Sequence, residues 1–364
     1  MFVAWRDLRF ATGRFALMGA VVVLITLLVG LLSGLTEGLG QQNVSAITAL
    51  PADRIAFGAP GEGQDLAYAG STVTEDQWRQ WAAAPGVDAA EPLGITTLNA
   101  TAGDRSSGVS AFGVRPGSAL APEGATLTGN SAVLSGAAAE KLGVGPGGTI
   151  TLAGRELAVT SVAGDAFFSH TPVIWIGLGA WQHTAPAGDD SGDTATVIAL
   201  TTSGSSAGEG IAATDKAAGT VTVSTEDSLA AIGSYTAENG SLQLMRGFLF
   251  VISALVVGAF FTVWTIQRSG DIAVLKALGA GTAGLLKDAL GQAVVLLTGG
   301  TLVGTGLAAG LGAAISGSAV PFVLDPFTVL APAAVLILLG VLGAAVAVRR
   351  ITSVDPLTAL GSLR

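Results

Sequence analysis

Residues Gln267–Ala280 read QRSGDIAVLKALGA, and this stretch separates two long apolar runs, Leu244–Ile266 and Leu285–Ile315. Charged and apolar residues alternate within it at helical spacing, which is typical of a short amphipathic helix. The charges are Arg268, Asp271 and Lys276, and the apolar residues are Ile272, Leu275 and Leu278. Held between two membrane spans, such a helix is predicted to meet a partner at the cytoplasmic face. An ordinary basic loop that only fixes topology is the alternative.

The composition predicts a membrane protein with four spans. Hydrophobic residues make up 50% of the 364 and charged residues 12%, whereas a soluble domain carries about 25% charged residues. The segment Phe15–Thr36 contains no charge and exceeds the roughly 20 residues that cross a bilayer. It is longer than a signal-peptide core, so we expect it to be retained. The predicted transmembrane helices are residues 15–37, 244–266, 285–315 and 327–348.

Residues 38–243 differ in kind and are predicted to form one large α+β domain between the first and second spans. They hold 20 Asp and Glu against 7 Lys and Arg, with many Gly, Ser and Thr. Capping residues, turn glycines and alternating apolar residues mark individual elements. The predicted elements are a helix after Thr74-Glu75-Asp76, a helix Ser135–Leu142 ended by Gly143, a hairpin of Thr149–Leu152 and Glu156–Val162, a strand Pro172–Ile176, and a loop Ala185–Gly210.

Orientation follows from the distribution of Lys and Arg. The segments Met1–Arg14, Gln267–Lys287 and Arg349–Arg364 carry three basic residues each, and Ser316–Pro326 carries none. Because basic loops stay in the cytoplasm, both termini are predicted to be cytoplasmic and residues 38–243 extracellular. The remaining segments are then an interfacial helix at 1–14, a coupling helix at 267–284, an extracellular turn at 316–326 and a cytoplasmic tail at 349–364.

Glycines at four-residue spacing predict close helix packing in the membrane. In the first span Gly30, Gly34 and Gly38 share one helix face, and we expect two copies of the chain to pack along it. In the third span the pairs Gly300/Gly304 and Gly306/Gly310 predict tight packing against neighbouring helices.

The motifs together resemble those of the MacB/FtsX superfamily of ABC transporter permeases. The stretch Arg268-x-x-Asp271-Ile272-x-x-Leu275-Lys276-Ala277-Leu278-Gly279-Ala280 is similar to the family signature after the second span, and Arg349-Arg350-x-x-x-x-Asp355-Pro356-Leu357-x-Ala359-Leu360 to its C-terminal signature. In the domain, Val133-Leu134-Ser135, Ala139-x-Lys141-Leu142-Gly143 and Gly147-x-Thr149-Ile150-x-Leu152 resemble the family core. The resemblance covers nearly the whole chain.

This resemblance implies a homodimeric or pseudo-dimeric permease of the bacterial cell membrane, driven by separate ATPase subunits. The sequence has no G-x-x-x-x-G-K-[ST] phosphate loop, so another chain would bind ATP. The intermediate size of the domain makes the chain most similar to the haem-exporter permeases of Gram-positive bacteria. The alternatives are an FtsX-like permease that acts on an extracellular partner, and an exporter of a peptide, lipid or antibiotic.

Enzymatic and metal-binding functions are not predicted. His170 and His183 are the only histidines, and Ser169 and His170 would point to opposite sides of an extended segment. The run Asp189-Asp190-x-x-Asp193 lacks the spacing and closing Glu of a calcium loop. We expect no permanently bound cofactor, and the acidic charge argues against nucleic-acid binding.

A haem site is predicted at the outer leaflet between the first and second spans. Glu37 and Met245 are expected at similar depth as iron ligands, because thioether sulfur binds haem iron and carboxylate does so more rarely. Arg246 would pair with a propionate and Phe248 would cover the macrocycle. Alternatively, Glu37 reaches water, Met245 packs and Arg246 snorkels to head groups. His170, His183 and Tyr235 are the next candidate ligands.

Overall fold

The described residues include eight α-helices with defined bounds, two short 3₁₀ helices (Tyr68–Gly70 and Asp227–Ala231) and twelve strands. The structure is a computed structural model that describes residues 12–122, 127–184, 194–203, 207–267, 270, 274, 281–315, 320–323 and 325–352. The helices are α1 (Thr12–Thr48), α2 (Glu75–Ala82), α3 (Gly136–Leu142), α4 (Leu178–Gln182), α5 (Ala207–Ala218), α6 (Tyr235–Gln267), α7 (Thr282–Ile315) and α8 (Pro326–Thr352). The strands are β1 (Arg54–Gly58), β2 (Val73–Thr74), β3 (Val87–Ala102), β4 (Arg105–Val114), β5 (Ser131–Leu134), β6 (Thr149–Leu152), β7 (Arg155–Val162), β8 (Phe167–Phe168), β9 (Thr171–Gly177), β10 (Thr194–Ala195), β11 (Val197–Thr202) and β12 (Thr220–Ser224).

Four of these helices, α1, α6, α7 and α8, are long and apolar enough to cross a membrane. The prediction of four membrane-spanning helices with an α+β domain between the first and second is confirmed. Two units result: a span unit that ends at Gly38 and resumes at Gly240, and a domain of Leu39–Asn239. Helix α1 continues past the predicted span end at residue 37, because no proline interrupts the polar turns up to Thr48.

Close approach of α1 and α7 in the span unit depends on two glycines of α7. A Cβ added at Gly300 would lie 2.8 Å from Val22 Cγ1, and one at Gly304 would lie 2.6 Å from the Val23 carbonyl oxygen. Tight packing at this pair is confirmed. An added Cβ at Gly306 or Gly310 has no neighbour within 4 Å among the described residues. Close packing at that second pair stays a prediction.

A single strand, β3, joins the two parts of the domain sheet. Its first half pairs with β11, which continues through β1 to β12. Its second half pairs with β4, and the order then runs through β9, β5, β7 and β6. Strand β6 pairs with β3 again, at Ala100–Leu152 and Thr101–Thr151. Six strands therefore form a closed ring, and β12 ends the open part among the strands described.

The short helices form where local sequence signals predicted them. The N–H of Thr74 donates to Gln77 Oε1 over 2.7 Å, which caps α2. Ser135 Oγ accepts from the N–H of Ala138 at the start of α3, and Gly143 ends that helix at φ +64°. The predicted hairpin corresponds to β6 and β7, and the strand Pro172–Ile176 to β9. These four predictions are confirmed.

The prediction of a loop over Ala185–Gly210 is wrong for its described part. Strand β11 lies there in the middle of the sheet, between β1 and β3. The short apolar run Val197–Leu200 is buried, but the surrounding Gly, Ser and Asp residues dominate the average composition. Helix α5 begins at Ala207. Residues 185–193 lie outside the described part of the chain.

Four aromatic rings form a continuous edge-to-face chain in the domain core. Phe57 and Tyr68 have ring centroids 4.9 Å apart, Tyr68 and Phe168 5.4 Å, and Phe168 and Phe112 5.8 Å. Tyr68 is 3% exposed, and its hydroxyl donates to Ser228 Oγ over 2.9 Å. Burial raises the pKa of the Tyr68 phenol, and the hydrogen bond to Ser228 offsets this only in part.

Ionisation of Tyr68 is expected to destabilise the domain at alkaline pH. The folded-state pKa lies above the unfolded value of about 10, so its contribution is fully present below that value. Above it, stability falls by up to about 1.4 kcal/mol per pH unit. Tyr68→Phe should flatten this part of the curve, measured by tryptophan fluorescence in denaturant at successive pH values. Tyr235→Phe, at the only other tyrosine, is the control. Equal slopes in both variants would contradict the assignment.

The open end of the sheet carries a side-chain cap. The N–H of Thr222 in β12 donates to Asp215 Oδ2 of α5 over 3.1 Å, and the Thr222 hydroxyl donates to Oδ1 over 2.8 Å. Thr220 Oγ1 donates to the same carboxylate over 2.7 Å. This acidic side chain therefore occupies a backbone donor that another strand would otherwise use.

Candidate functional site

Glu37 lies in α1 at the end of the first span that leads into the domain. Glu37 is exposed, whereas Ser33, one turn earlier on the same helix face, is 2% exposed. The row of side chains that contains Ser33 faces the interior of the span unit, and Glu37 lies where this row first becomes exposed. The role of Glu37 as an iron ligand stays a prediction.

The other three predicted haem-site residues lie on α6 and face different ways. Met245 is 45% exposed and Phe248 is 60% exposed, and these two residues share one side of the helix. Arg246 lies about 100° around the helix from Met245 and is half-buried. It precedes the buried Ser253 by two turns on the inward side. Met245 and Phe248 are thus presented together, whereas Arg246 points toward the bundle.

Helix α6 is the span least covered by the other residues that the structure describes. In its most hydrophobic window 17% of residues are buried, against 28% in each of the other three spans. A stripe of large apolar side chains is exposed along it, namely Leu244, Met245, Phe248, Val251, Ile252 and Leu255. This face is available to lipid, to a second protein surface or to an apolar ligand.

A small cavity in the span unit is lined by all four spans. Its volume for the centre of a water molecule is about 10 Å³, room for about one water. Thr26 and Ser253 line it and donate to the carbonyls of Val22 and Leu249 in their own helices, over 2.8 and 2.6 Å. Thr301 also lines it, and its buried hydroxyl has no partner among the described residues. This cavity is far too small for a haem macrocycle.

The three glycines predicted to join two copies meet residues of the same chain. A Cβ added at Gly30 would lie 2.8 Å from Ala308 Cβ of α7. One added at Gly34 would overlap the ring of Phe322, which also fills the space beside Gly312, and one at Gly38 would overlap the Pro321 carbonyl. The N–H of Val323 donates to the Gly34 carbonyl over 3.2 Å. Dimer packing along this face stays a prediction, but the glycines already have a partner within the chain.

The predicted coupling residues fall where the structure gives no description. Arg268, Asp271, Leu275, Lys276 and Leu278 all lie outside the described residues. Helix α6 ends at Gln267 and α7 begins at Thr282, so the segment is bounded by two spans as expected. Its docking role stays a prediction.

The two histidines occupy different settings in the domain. His183 Nδ1 lies 2.6 Å from the carbonyl oxygen of Gly179 at the end of α4. His170 Nε2 lies 2.7 Å from Glu238 Oε2. The expectation that Ser169 and His170 lie on an extended segment is wrong, because their φ angles are +48° and +63°, in a turn between β8 and β9. Among the described residues no cluster of three His, Cys, Asp or Glu could hold a metal ion.

Sequence reasoning missed the group of side chains around Glu238. Asn43 Nδ2 donates to Glu238 Oε2 over 3.0 Å and to Ser234 Oγ over 3.4 Å. These residues lie almost 200 positions apart in sequence, so no local pattern marks their contact. The sequence signal was a polar Asn43 at helical spacing from Leu39, Ala46 and Ile47, and the structure shows that it is 2% exposed.

Two family models match complementary parts of the chain. The MacB-like periplasmic core domain matches residues 15–217, and the FtsX-like permease C-terminal region matches residues 244–356. The chain belongs to the MacB/FtsX family of ABC transporter permeases. The first match covers more than half of the permease, including most of its inserted domain, and the second covers its last three spans.

Individual relatives are similar to parts of this permease. A Staphylococcus epidermidis protein named as the hemin transport system permease protein HrtB is 32% identical over 146 residues, which is 39% of this chain and 41% of the relative. The protein of the same name from Staphylococcus haemolyticus is 38% identical over 135 residues, 36% of this chain and 37% of the relative. The matched part is thus less than half the length of either relative.

One solved structure shows a distant likeness. The periplasmic region of MacB from Actinobacillus actinomycetemcomitans covers 52% of this permease and 95% of its own chain. The identity is 13% and the TM-score 0.38.

Proposed function

We propose that this permease exports haem from the outer leaflet of the cell membrane, driven by a separate cytoplasmic ATPase. The observation that carries the proposal is its 32% and 38% identity to two permeases named for hemin transport. The working unit is a homodimer with both termini in the cytoplasm. In this unit the coupling segment at 267–284 receives ATP-driven movement and α1 and α6 carry it to the domain.

The exposed face of α6 supports a substrate that arrives from lipid. Met245 offers a soft thioether next to the apolar ring of Phe248, and both are exposed. The cavity inside one chain has room for about one water, so haem would bind on the outside of the bundle. There its apolar macrocycle would lie against Phe248 with the iron at Met245 and Glu37. Arg246, on the adjoining inward side of α6, would have to turn outward to pair with a propionate.

Removal of either proposed iron ligand is expected to lower haem binding and haem resistance. Met245→Ala and Glu37→Gln, made separately, should each reduce the haem that copurifies from haem-fed cells by about tenfold, the effect of losing about 1.4 kcal/mol. The haem absorption band per mole of purified protein measures this, together with growth of cells in haem. Leu302→Ala is the matched control, because Leu302 is an exposed leucine of α7 (67% exposed) outside the proposed haem face.

The outcomes distinguish an error in the proposed binding site from an error in the proposed substrate. Wild-type spectra and full protection in both variants would place the haem site elsewhere. A wild-type protein that never carries the band and gives no resistance would refute haem export itself. In that case a regulatory permease acting on an extracellular partner becomes the better account.

A further inference from the structure

The tip of the β8–β9 hairpin adopts a backbone conformation that its residues disfavour. Ser169 and His170 both have left-handed φ angles, of +48° and +63°. Among the described residues Ala153 is the other non-glycine with a positive φ. Two-residue turns of this kind favour Asn-Gly, because side chains with a Cβ are strained there. Surrounding contacts must therefore hold the turn in place.

Helix α1 supplies three of those contacts. The N–H groups of Phe167, Ser169 and His170 donate to Ser45 Oγ, the Asn43 carbonyl and the Gln42 carbonyl, each over 2.9 Å. Both strained residues are thus bound through their backbones to neighbouring carbonyls of one helix.

Helix α6 holds the same turn from the other side through Glu238. His170 Nε2 lies 2.7 Å from Glu238 Oε2, and Asn43 Nδ2 donates to that same oxygen over 3.0 Å. One carboxylate oxygen therefore connects the hairpin, α1 and α6. Asn43 is 2% exposed, while the side chains of His170 and Glu238 are 34% and 43% exposed. The hydrogen bond from Asn43 to Glu238 is shielded from solvent, whereas the contact between His170 and Glu238 is accessible to water.

We propose that the Ser169–His170 turn is a releasable latch that joins α1 to α6 and opens during the ATP-driven cycle. Each helix continues as one element into a membrane span, α1 into the first and α6 into the second. Separation of the two helices breaks the contacts of Glu238 with His170 and Asn43, and the strained turn is then held only by its backbone bonds to α1. A permanent joint would gain nothing from that strain, whereas a joint that must open does.

The latch proposal rests on membership in the ABC permease family and does not depend on haem. Its test uses the absence of cysteine from the sequence, which allows two spin labels at chosen cysteines. Thr48 and Ala237 are exposed residues of α1 and α6 within the domain, and neither side chain contacts Glu238 in the interactions described. The distance between the labels is measured by pulsed electron resonance in the full permease with its ATPase, in lipid nanodiscs.

The resting wild type is expected to show one short distance, and trapping with ATP and vanadate should add a longer one. His170→Ala should raise the ratio of long to short populations at rest by about tenfold, as expected for loss of a hydrogen bond to a charged group. His170→Asn should do the same, because Asn tolerates the left-handed turn but loses the imidazole. His183→Ala, at the other histidine, should match the wild type.

Two results would overturn the latch. One is a trapped wild type that keeps the single short distance, since the joint would then be permanent. The other is a His170→Ala variant with the resting distribution of the wild type. If His170→Ala does not fold, Glu238→Ala tests the same contact from α6. Neither measurement involves haem, so a failure here leaves the export proposal untouched, and the reverse also holds.

Discussion

Replacing Gly38 by alanine is expected to lower the free energy of unfolding of the span unit by about 3 kcal/mol, the upper end of what overpacking costs. The added methyl would overlap the backbone carbonyl of Pro321, and a backbone atom cannot rotate away as a side chain can. Either α1 or the connection before α8 must shift. The temperature at which the detergent-solubilised protein loses its gel-filtration peak measures the effect.

Gly40→Ala provides a matched control two residues later in the same helix. An added Cβ at Gly40 has no neighbour within 4 Å in the described part of the chain, so alanine should leave stability unchanged or raise it by about 0.4–1 kcal/mol. Equal stability of the two variants would show that Pro321 does not pack on Gly38. A Gly38→Ala protein that keeps its stability but runs as a monomer would instead assign this face to a second copy.

The double substitution Leu275→Asp with Leu278→Asp is expected to abolish coupled transport. If these leucines bury against a separate ATPase, two carboxylates there cost several kcal/mol. We expect affinity for the ATPase to fall by at least about a thousandfold, which corresponds to about 4.1 kcal/mol. Copurification of the ATPase with the permease, and ATP-dependent export in vesicles, are the measurements.

Leu275→Met with Leu278→Met is the control for this pair, because it keeps the apolar volume without adding charge. It should copurify with the ATPase like the wild type. Full transport and normal copurification in the Asp variant would show that the segment only fixes topology, as a basic loop would.

The spans and the short capped helices could be predicted because their signals are local. A charge-free run such as Phe15–Thr36 has few folding alternatives in a bilayer, and Ser135 and Gly143 bound α3 through bonds within a few residues. Strand β11 could not be predicted, because its place in the sheet depends on β1 and β3, more than 90 residues away in sequence.

The candidate site shows the same division between local and long-range information. Periodicity placed Met245 and Phe248 on one side of α6, and the structure exposes both. Periodicity also grouped Gly30, Gly34 and Gly38, but it could not identify Ala308, Phe322 and Pro321 as what they meet. The Glu238 group joins residues brought together only by the closed fold.

The carboxylate of Asp215 at the open end of the sheet affects how two neighbouring domains can associate. In the proposed dimer two copies of this domain lie close together. Their high local concentration favours pairing between exposed strand edges. An outward backbone donor of β12 is already occupied, and the half-buried carboxylate of Asp215 would meet any incoming strand. Neighbouring domains can therefore touch and part at every turnover without annealing into a continuous sheet.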